Sequence, residues 1–190
     1  MIVVRRAHAA DAASIGAVHV AAWRSAYPGI LPDTYLASLS AARQAAFYDR
    51  TIRSLAGWVH VATASGRDAG ADGAPARVVG FVTAGPARPV RGIKPPADGE
   101  IETLYVLDDW RERGLGRKLM QAAAADLAGS GCTSAFVWVL RQNQSRWFYE
   151  RLGGRVAAEA EIEVAGRPVV QTAYVWSPIT RLVQAASAAP

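Results

Sequence analysis

The segment from residue 100 to residue 140 constrains the fold more than any other part of the chain. Its first run, EIETLYVL at 100–107, has the β-branched and aromatic composition of a strand, and a second such run, SAFVWVL, occupies 134–140. Between them lies a predicted helix, whose apolar residues recur at helical spacing: Leu115, Leu119, Ala123 and Leu127. A strand, a helix and a strand in this order form a right-handed crossover, so the sheet is predicted to contain a parallel pair.

The rest of the chain surrounds this unit with hairpins and helices. The predicted order is β-α-α-β-β-β-α-β-α-β-β, with Asp11 as the N-cap of the first helix and a second helix running from Leu31 to about Leu55. This order predicts an α/β (α+β) fold in which helices cover both faces of a single mixed, mostly antiparallel sheet of about seven strands. We expect one domain over residues 1–181 and a flexible C-terminal tail over 182–190, where little in the sequence provides an anchor.

The composition is typical of a compact protein. Of the 190 residues, 51% are hydrophobic and 19% are charged, which suits a packed core. No window approaches 18 consecutive apolar residues, and the first residues, MIVVRRAHAADAA, lack the pattern of a secretory signal. The single cysteine, Cys132, cannot form an internal disulfide, and we expect it to be a small buried side chain rather than a nucleophile. These features predict a cytoplasmic protein with no membrane partner.

The charge balance favours anionic partners. A net charge of +5 and a pI near 9.8 suit nucleic acid or a phosphorylated small molecule, or they reflect only a basic surface. No recognition helix or interleaved basic and aromatic pattern occurs in the sequence, so we expect no nucleic-acid partner.

Several common site motifs are absent from the sequence. There is no Walker phosphate loop, and the third glycine of the dinucleotide fingerprint would fall at Leu119. The three histidines, His8, His19 and His60, lack the spacing of a zinc site. No G-x-S-x-G elbow of a serine hydrolase is present. We therefore expect neither a bound metal nor a covalent enzyme intermediate.

The start of the predicted central helix has a composition that lowers its stability. Gly114 and Gly116 each cost about 1 kcal/mol relative to alanine inside a helix. Four basic residues crowd the same end, where the helix dipole is already positive: Arg111, Arg113, Arg117 and Lys118. Both features suit an anion, because the N-terminal N–H groups of a helix lack intrahelical partners and glycines leave them accessible. The segment is predicted to bind a pyrophosphate; the alternative is a helix start with solvated arginines.

These residues resemble the cofactor motif of the GNAT superfamily of acetyl-CoA-dependent N-acyltransferases. The motif, [Q/R]-x-x-G-x-[G/A], reads RERGLG at 111–116 and follows the strand ETLYV, as in the family. A second segment, NQSRWFYERLGG from Asn143, is similar to the family block N-x-x-A-x-x-F-Y-x-x-x-G, with Arg146 where a small residue is usual. The order of elements agrees over about residues 2–177. The resemblance implies the GNAT fold and acetyl transfer from acetyl-CoA to an amine.

The resemblance also implies where the donor binds. Backbone amides at the helix start would hold the pyrophosphate of coenzyme A, and backbone groups of Leu104 and Val106 would pair with its pantetheine arm. An amide near Leu104 would polarise the thioester carbonyl, and Asn143 would contact the pantetheine or the departing sulfur. The implied donor-binding residues are Leu104, Tyr105, Val106, Arg111, Glu112, Arg113, Gly114, Leu115, Gly116, Arg117, Asn143 and Arg146.

Three residues are candidates for the proton transfers. The family match implies that Tyr149 is the general acid that protonates the leaving thiolate; alternatively, it is a core aromatic of the WFY cluster. The general base is Glu100 or Glu102, and the alternation of a strand places both carboxylates on one side. A bulge after Tyr105 would shift this register, and either glutamate could instead be a solvated surface residue.

The acceptor side is the least defined part of the site. The family usually lines the acceptor pocket with the first two helices, which here carry Trp23, Tyr27 and Tyr35; these aromatics could instead pack the helix pair. Asp33 or the acidic residues of 159–163 could attract a cationic amine, although such alternation is typical of the exposed face of an edge strand.

Two classes of function follow from these residues. The first is an enzyme in which a primary amine attacks acetyl-CoA directly, without an acyl-enzyme, since no credible Cys/His nucleophile pair is present. Its acceptor would be a small-molecule amine or an amine of a peptide or protein. The resemblance leaves a homodimer open, since family members often form dimers. The alternative is a non-catalytic module that senses acyl-CoA, which would need the glycines and the strand backbone alone.

Overall fold

The computed structural model describes residues 1–54, 56–70, 72–87, 89 and 94–187. The helices in these ranges are α1 Ala12–Ala26, α2 Asp33–Ser38, α3 Ala41–Arg53, α4 Leu115–Gly129, α5 Arg146–Arg151 and α6 Thr180–Ser187. The strands are β1 Ile2–Arg6, β2 Trp58–Ala64, β3 Arg77–Pro86, β4 Gly99–Val106, β5 Ala135–Leu140, β6 Arg155–Val164 and β7 Arg167–Trp176. The predicted order is therefore found, with one additional helix before β2 and another after β7.

All seven of these strands belong to one sheet, in the order β1-β2-β3-β4-β5-β7-β6. Only β4 and β5 are parallel, and α4 connects them as the predicted crossover; the other neighbouring strands are antiparallel. The prediction of a mixed, mostly antiparallel sheet with helices on both faces is confirmed.

Helices on both faces bury the middle of the sheet. α1 and α3 pack on one face, and α4 with α6 packs on the other. The interior of β3, from Val78 to Gly85, is buried on both faces, which explains why this run is almost entirely apolar. The apolar stripe of α4 is buried as its spacing predicts: Leu115, Leu119, Ala123 and Leu127.

The second predicted helix is in fact two helices. Leu39 takes an extended conformation, with φ −60° and ψ 129°, and ends α2. Ser40 then caps α3, because its hydroxyl accepts a hydrogen bond from the N–H of Arg43 at 3.3 Å. The prediction of one continuous helix is wrong for this reason, and its expected end at Leu55 lies outside the described residues.

Asp11 precedes α1 as predicted, but its carboxylate serves the preceding turn. It accepts a hydrogen bond from the N–H of His8 at 2.8 Å and forms an ion pair with Arg5 at 2.7 Å. This pairing lowers the pKa of Asp11, chiefly through the hydrogen bond from Arg5.

The C-terminal segment is anchored. Leu182 is fully buried and Ala186 nearly so, and both belong to the core that α4 shares with the sheet. Arg117 of α4 also donates a hydrogen bond to the carbonyl oxygen of Ala185 at 3.1 Å. The prediction of an unanchored tail is therefore wrong for 182–187, while 188–190 lie outside the described residues. In the part of the chain described here, no helix is both long and apolar enough to cross a membrane.

Candidate active site

A cleft of about 620 Å³ opens in the middle of the sheet. β4 and β5 pair at only three positions, where 99–101 lie opposite 135–137. Beyond Ile101 the two strands diverge, and residues of both then line the cleft, among them Leu104 and Val106 on one side and Val139 on the other. The sheet is thus splayed at its only parallel pair.

The backbone of β4 offers hydrogen-bonding groups to this cleft. The N–H of Leu107 donates to the carbonyl of Val79 in β3 at 2.9 Å. Because alternate residues of a strand face the same neighbour, the backbone of Leu104 and Val106 faces away from β3 and toward the cleft. The carbonyl of Val106 is reached there by Nε of Arg111 at 3.5 Å. These groups have no strand partner in the described sheet, as the family resemblance implied.

A β-bulge lies in β4. Thr83 pairs with Thr103 and Ala84 pairs with Ile101, so Glu102 is the extra residue. The ladder with β3 is regular from Thr103 to Val106, so the register shift considered after Tyr105 is not found there.

Both candidate bases line the cleft, as predicted. Glu100 is half-buried and lies within the three paired positions, whereas Glu102 is exposed and lies just beyond them. The hydroxyl of Thr83 lies 3.5 Å from a carboxylate oxygen of Glu102 and 2.8 Å from the hydroxyl of Thr103. Glu102 is thus the carboxylate nearer to the splayed backbone.

The two glycines at the start of α4 meet different needs. Gly114 has φ +75°, in the left-handed region that glycine occupies without strain, and a Cβ added there would meet nothing within 4 Å. A Cβ on Gly116 would lie 3.3 Å from the ring of Phe148. Gly114 therefore allows the left-handed turn before α4 and leaves the space beside it open, while Gly116 allows α5 to pack closely against the start of α4.

The basic side chains of this region contact the protein itself. The guanidinium of Arg113 lies 4.9 Å from the ring centre of Trp110, and Arg111 pairs with Asp108 at 2.9 Å. Arg146 lies 4.4 Å from the ring centre of Trp147 and donates to the carbonyl of Arg141. Three residues of the motif line the cleft: Arg111, Glu112 and Gly116. The motif residues Arg113, Gly114 and Leu115 do not line it, nor do two other implied donor-binding residues, Arg117 and Arg146.

Tyr149 is both a packed aromatic residue and part of the cleft wall. It packs against Tyr174 at 6.1 Å and Trp176 at 6.3 Å between ring centres, and it also lines the cleft. Burial, and secondarily the nearby Tyr27 hydroxyl, raises the pKa of Tyr149. The phenol is consequently protonated at neutral pH, as a proton donor must be.

Asn143 and Tyr27 are linked at the centre of the cleft. The Asn143 side-chain oxygen accepts a hydrogen bond from the N–H of Ser145 at 2.9 Å, which fixes the turn before α5. Burial raises the pKa of Tyr27, and hydrogen bonds with Asn143 and Tyr105 partly offset this effect. All three side chains line the cleft, so Tyr27 joins the donor-side residues to the acceptor side.

The predicted acceptor aromatics divide into two groups. Trp23 and Tyr27 line the cleft, with ring centres 4.9 Å apart. Tyr35 does not line it; its ring packs against Trp23 at 6.3 Å and supports that side chain from behind. The neighbouring wall is apolar, with Leu31 after α1, Leu140 at the end of β5, and two residues of β6: Ile162 and Val164.

The acidic residues considered for this side lie elsewhere. Glu159, Glu161 and Glu163 are exposed on β6, alternating with half-buried residues, and do not line the cleft. Glu159 accepts a hydrogen bond from Thr172 at 3.2 Å. Asp33 is exposed at the start of α2 and is also absent from the cleft wall. The interpretation of this strand as a solvated edge is the one that the geometry supports.

A polar network that runs from the protein interior to the cleft wall was missed in the sequence. Nδ1 of His19 lies 2.8 Å from the hydroxyl of Tyr48, which hydrogen-bonds Thr103. Thr103 continues through Thr83 to Glu102. Burial lowers the pKa of His19 to about 4, so its ring is neutral at pH 7. The sequence contained one signal of this contact: His19 and Trp23 are four residues apart, so they lie on the same face of a helix.

The His19 ring also stacks on Trp23, with ring centres 5.1 Å apart. The network therefore contacts the acceptor aromatics at one end and a candidate base at the other. Among the described residues, no group of three or more His, Cys, Asp or Glu side chains is arranged to hold a metal ion.

Comparisons with known proteins assign this arrangement to a family. A family model described as FR47-like protein matches residues 78–162, which include the splayed strands and α4. The N-acetyltransferase YuaI of Bacillus subtilis (strain 168), itself uncharacterized, is 34% identical over 183 residues, covering 96% of each chain.

Solved structures agree with the fold. A GCN5-related N-acetyltransferase from Rhodopseudomonas palustris aligns with a TM-score of 0.66 and 22% identity, covering 92% of this chain and 94% of that one. The PaiA N-acetyltransferase of Thermoplasma acidophilum, solved with coenzyme A, aligns with a TM-score of 0.64 and 19% identity, covering 90% and 98%. YncA of Salmonella typhimurium, solved with its cofactor acetyl-CoA, gives 0.64 and 21%, covering 93% of both chains.

A splayed mixed sheet with a glycine-rich helix start at its opening defines the class as an acyltransferase of the GNAT type. The chain belongs to the GNAT superfamily and is an N-acetyltransferase.

Proposed function

We propose that this N-acetyltransferase moves an acetyl group from acetyl-CoA to a primary amine by direct attack within a ternary complex. The observation that carries the proposal is the splay between β4 and β5, with the backbone of Leu104 and Val106 facing a cleft that reaches the start of α4. The coenzyme A bound to PaiA and the acetyl-CoA bound to YncA support the choice of donor.

The residues present fit such a donor. Backbone N–H groups at Arg113, Gly114, Gly116 and Arg117 would face its pyrophosphate, because the N-terminal end of a helix presents backbone N–H groups and the positive end of its dipole to an anion. The open space outside Gly114 leaves room for that anion. The amides of a pantetheine arm would pair with the cleft-facing backbone of Leu104 and Val106 as an added strand does. An N–H near Leu104 would then stabilise the negative charge that develops on the carbonyl oxygen.

We assign the general base to Glu102. It lies two residues from Leu104 and outside the three positions at which β4 pairs with β5. The hydroxyl of Thr83, in the neighbouring strand β3, lies 3.5 Å from its carboxylate. The carboxylate would take a proton from the ammonium of the acceptor, directly or through one water, so that the nitrogen lone pair can form the new N–C bond. Glu100, within the paired ladder, would contribute negative charge that favours the approach of a cation.

Tyr149 is the proposed general acid. As the C–S bond breaks, its hydroxyl would give a proton to the sulfur of the leaving thiolate, and the tyrosinate would be reprotonated from solvent. Burial raises the pKa of Tyr149 and so keeps the phenol protonated before the reaction, as a proton donor must be.

A non-catalytic sensor of acyl-CoA would use less of this site. Binding needs only the start of α4 and the backbone of β4, and it gives no role to Tyr149, Glu102 or the aromatic wall beyond them. The expectations of a single domain, a cytoplasmic location and a homodimer stay predictions.

Thermal unfolding with acetyl-CoA tests the donor, with ATP and NAD as controls. A ligand at 100 times its Kd adds about 2.7 kcal/mol to the free energy of unfolding, which raises the Tm by several degrees. A shift with acetyl-CoA and not with the controls, followed by mass-spectrometric detection of an N-acetylated amine, is the expected result. A well-folded sample with no shift would overturn the proposal.

A further inference from the structure

The acceptor end of the cleft is the part bounded by α1, the loop after α1, and the β6–β7 hairpin. The residues that line it share an apolar or aromatic character with one amide among them: Trp23, Tyr27, Leu31, Leu140, Ile162, Val164 and Gln171. The charged residues lining the cleft come from other elements, namely β4, the segment before α4, and α5: Glu100, Glu102, Arg111, Glu112 and Arg151. Charge and apolar surface are therefore separated within the same cleft.

The alternation of β6 determines this separation. Ile162 pairs with Val169, which is 7% exposed, and both contact the cluster of Tyr27 and Leu31. The glutamates between these apolar residues point to the opposite face of the sheet. If the glutamates faced inward, carboxylates would line the acceptor end. In the observed register, the apolar side chains of Ile162 and Val164 line it instead.

We propose that the acceptor is a primary monoamine with an apolar body, and this inference rests on the proposed function. Its nitrogen would lie near the β4 carboxylates, and its alkyl or aryl body would lie against Trp23, Leu31, Ile162 and Val164. A second ammonium group placed on this wall would lose its hydration without gaining a partner, which disfavours diamines and polyamines.

The test compares matched amines as acceptors with acetyl-CoA as donor. Linear monoamines from propylamine to hexylamine are each paired with the α,ω-diamine of the same chain length. Burial of one methylene is worth about 0.8 kcal/mol, so kcat/KM should rise about fourfold per added carbon until the wall is covered. Each diamine should be at least about tenfold poorer than its monoamine, because its second charge opposes burial.

Variants on the two faces of β6 locate the effect. Ile162→Ala should flatten the dependence on chain length, and Ile162→Glu should lower kcat/KM for hexylamine while raising it for the matching diamine. Glu161→Gln, on the same strand but on its exposed face, is the matched control and should leave both series unchanged. If Ile162→Glu fails to fold, the wild-type series and the alanine variant still decide the question.

The possible results separate this inference from the proposed function. Equal or better activity with diamines, no dependence on chain length, or acetylation confined to peptides would overturn the apolar monoamine while leaving acetyl transfer intact. Absence of both an acetyl-CoA shift and any N-acetyl product would overturn the proposed function and the inference with it. A chain-length dependence that Ile162→Ala flattens and Glu161→Gln preserves would support both.

Discussion

The two ends of the cleft are built in different ways. The donor end uses main-chain groups of one continuous stretch, from β4 to the first turn of α4, and its side chains mostly contact the protein itself. The acceptor end uses side chains from α1, β5, β6 and β7, which are separated by up to about 150 positions in the sequence. In the proposed function, the donor end recognises its ligand through the backbone, and the acceptor end recognises its ligand through surface shape and apolar area.

This difference predicts which substitutions each end tolerates. Backbone recognition survives changes of side chain, provided that φ and ψ stay in place and no charge enters the anion site. Side-chain recognition changes with almost any substitution, so one scaffold can keep its donor and exchange its acceptor. The following experiments test this contrast.

The largest effect is expected at Gly114, where backbone geometry and charge coincide. Gly114→Glu should weaken acetyl-CoA binding at least about 10³-fold, since a carboxylate would oppose the pyrophosphate at the helix start. Gly114→Ala is the control: it carries the same cost of about 1–2 kcal/mol for φ +75°, and its Cβ meets nothing within 4 Å. Acetyl-CoA titrations followed by Tm should show a lost shift for Glu and a retained shift for Ala. Equal shifts in the two variants would contradict backbone recognition.

Tyr149→Phe should separate chemistry from binding. We expect kcat to fall about 10²-fold with acetyl-CoA affinity nearly unchanged, because the ring stays packed while the proton donor is lost. Tyr174→Phe is the matched control, since this neighbouring phenol stacks on Tyr149 and donates to Glu150 at 2.7 Å. Similar rates in both variants would return Tyr149 to a packing role.

Glu102→Gln should lower kcat/KM by about 30-fold at pH 7. Activity should not be lost completely, because a small fraction of the acceptor ammonium loses its proton to solvent and is present as neutral amine. Raising the pH toward the pKa of the acceptor amine should restore the rate of this variant relative to wild type. Glu100→Gln should show a smaller decrease and no such recovery. The reverse ranking in the pH–rate profiles would move the base to Glu100.

The smallest effect concerns the stability of the acceptor end. The pKa of His19 is lowered by burial to about 4, below the value of about 6.5 in an unfolded chain, so the unfolded state binds the proton first. Stability should therefore fall as the pH decreases from 6.5 to 4, by about 2 kcal/mol from this residue. Urea unfolding at pH 7 and pH 4.5 measures this decrease in the free energy of unfolding.

His19→Asn provides the comparison, since its amide oxygen can still accept from Tyr48 but does not titrate. Its stability should depend less on pH than that of wild type, and acetyl-CoA affinity should be the same in both. Identical pH slopes would show that His19 does not titrate in this range.

The order of elements at the proposed donor end was predicted because its signals are local. The strand, the glycines and the helix lie within 30 residues, so this order can be recognised without knowledge of distant contacts. The division between α2 and α3 was missed, although Ser40 is a good N-cap, because a single cap signal is weak within a helical pattern. α6 was missed because its short apolar pattern becomes meaningful only when Leu182 meets α4.

The acceptor end could not be predicted in the same way. Trp23 and Tyr27 line the cleft, whereas Tyr35 does not, and its position behind Trp23 depends on the path of the loop between α1 and α2. The network from His19 to Glu102 joins four elements, and nothing in any one of them indicates the others. The bulge at Glu102 depends on the register in which β3 pairs with β4, and this register cannot be predicted from the sequence of β4 alone.

The interrupted pairing of β4 and β5 also bears on how the protein avoids aggregation. An exposed strand edge is a template for other chains, and most sheets have such edges at their perimeter. Here two further edges, those of β4 and β5, face each other across the cleft of about 620 Å³, which residues of α1 and α5 also line. A strand of another copy would have to leave its own sheet to enter, whereas a slender ligand with amide groups can enter freely. The cleft proposed to bind acetyl-CoA would therefore also keep the hydrogen-bonding groups of these two strand edges away from neighbouring molecules.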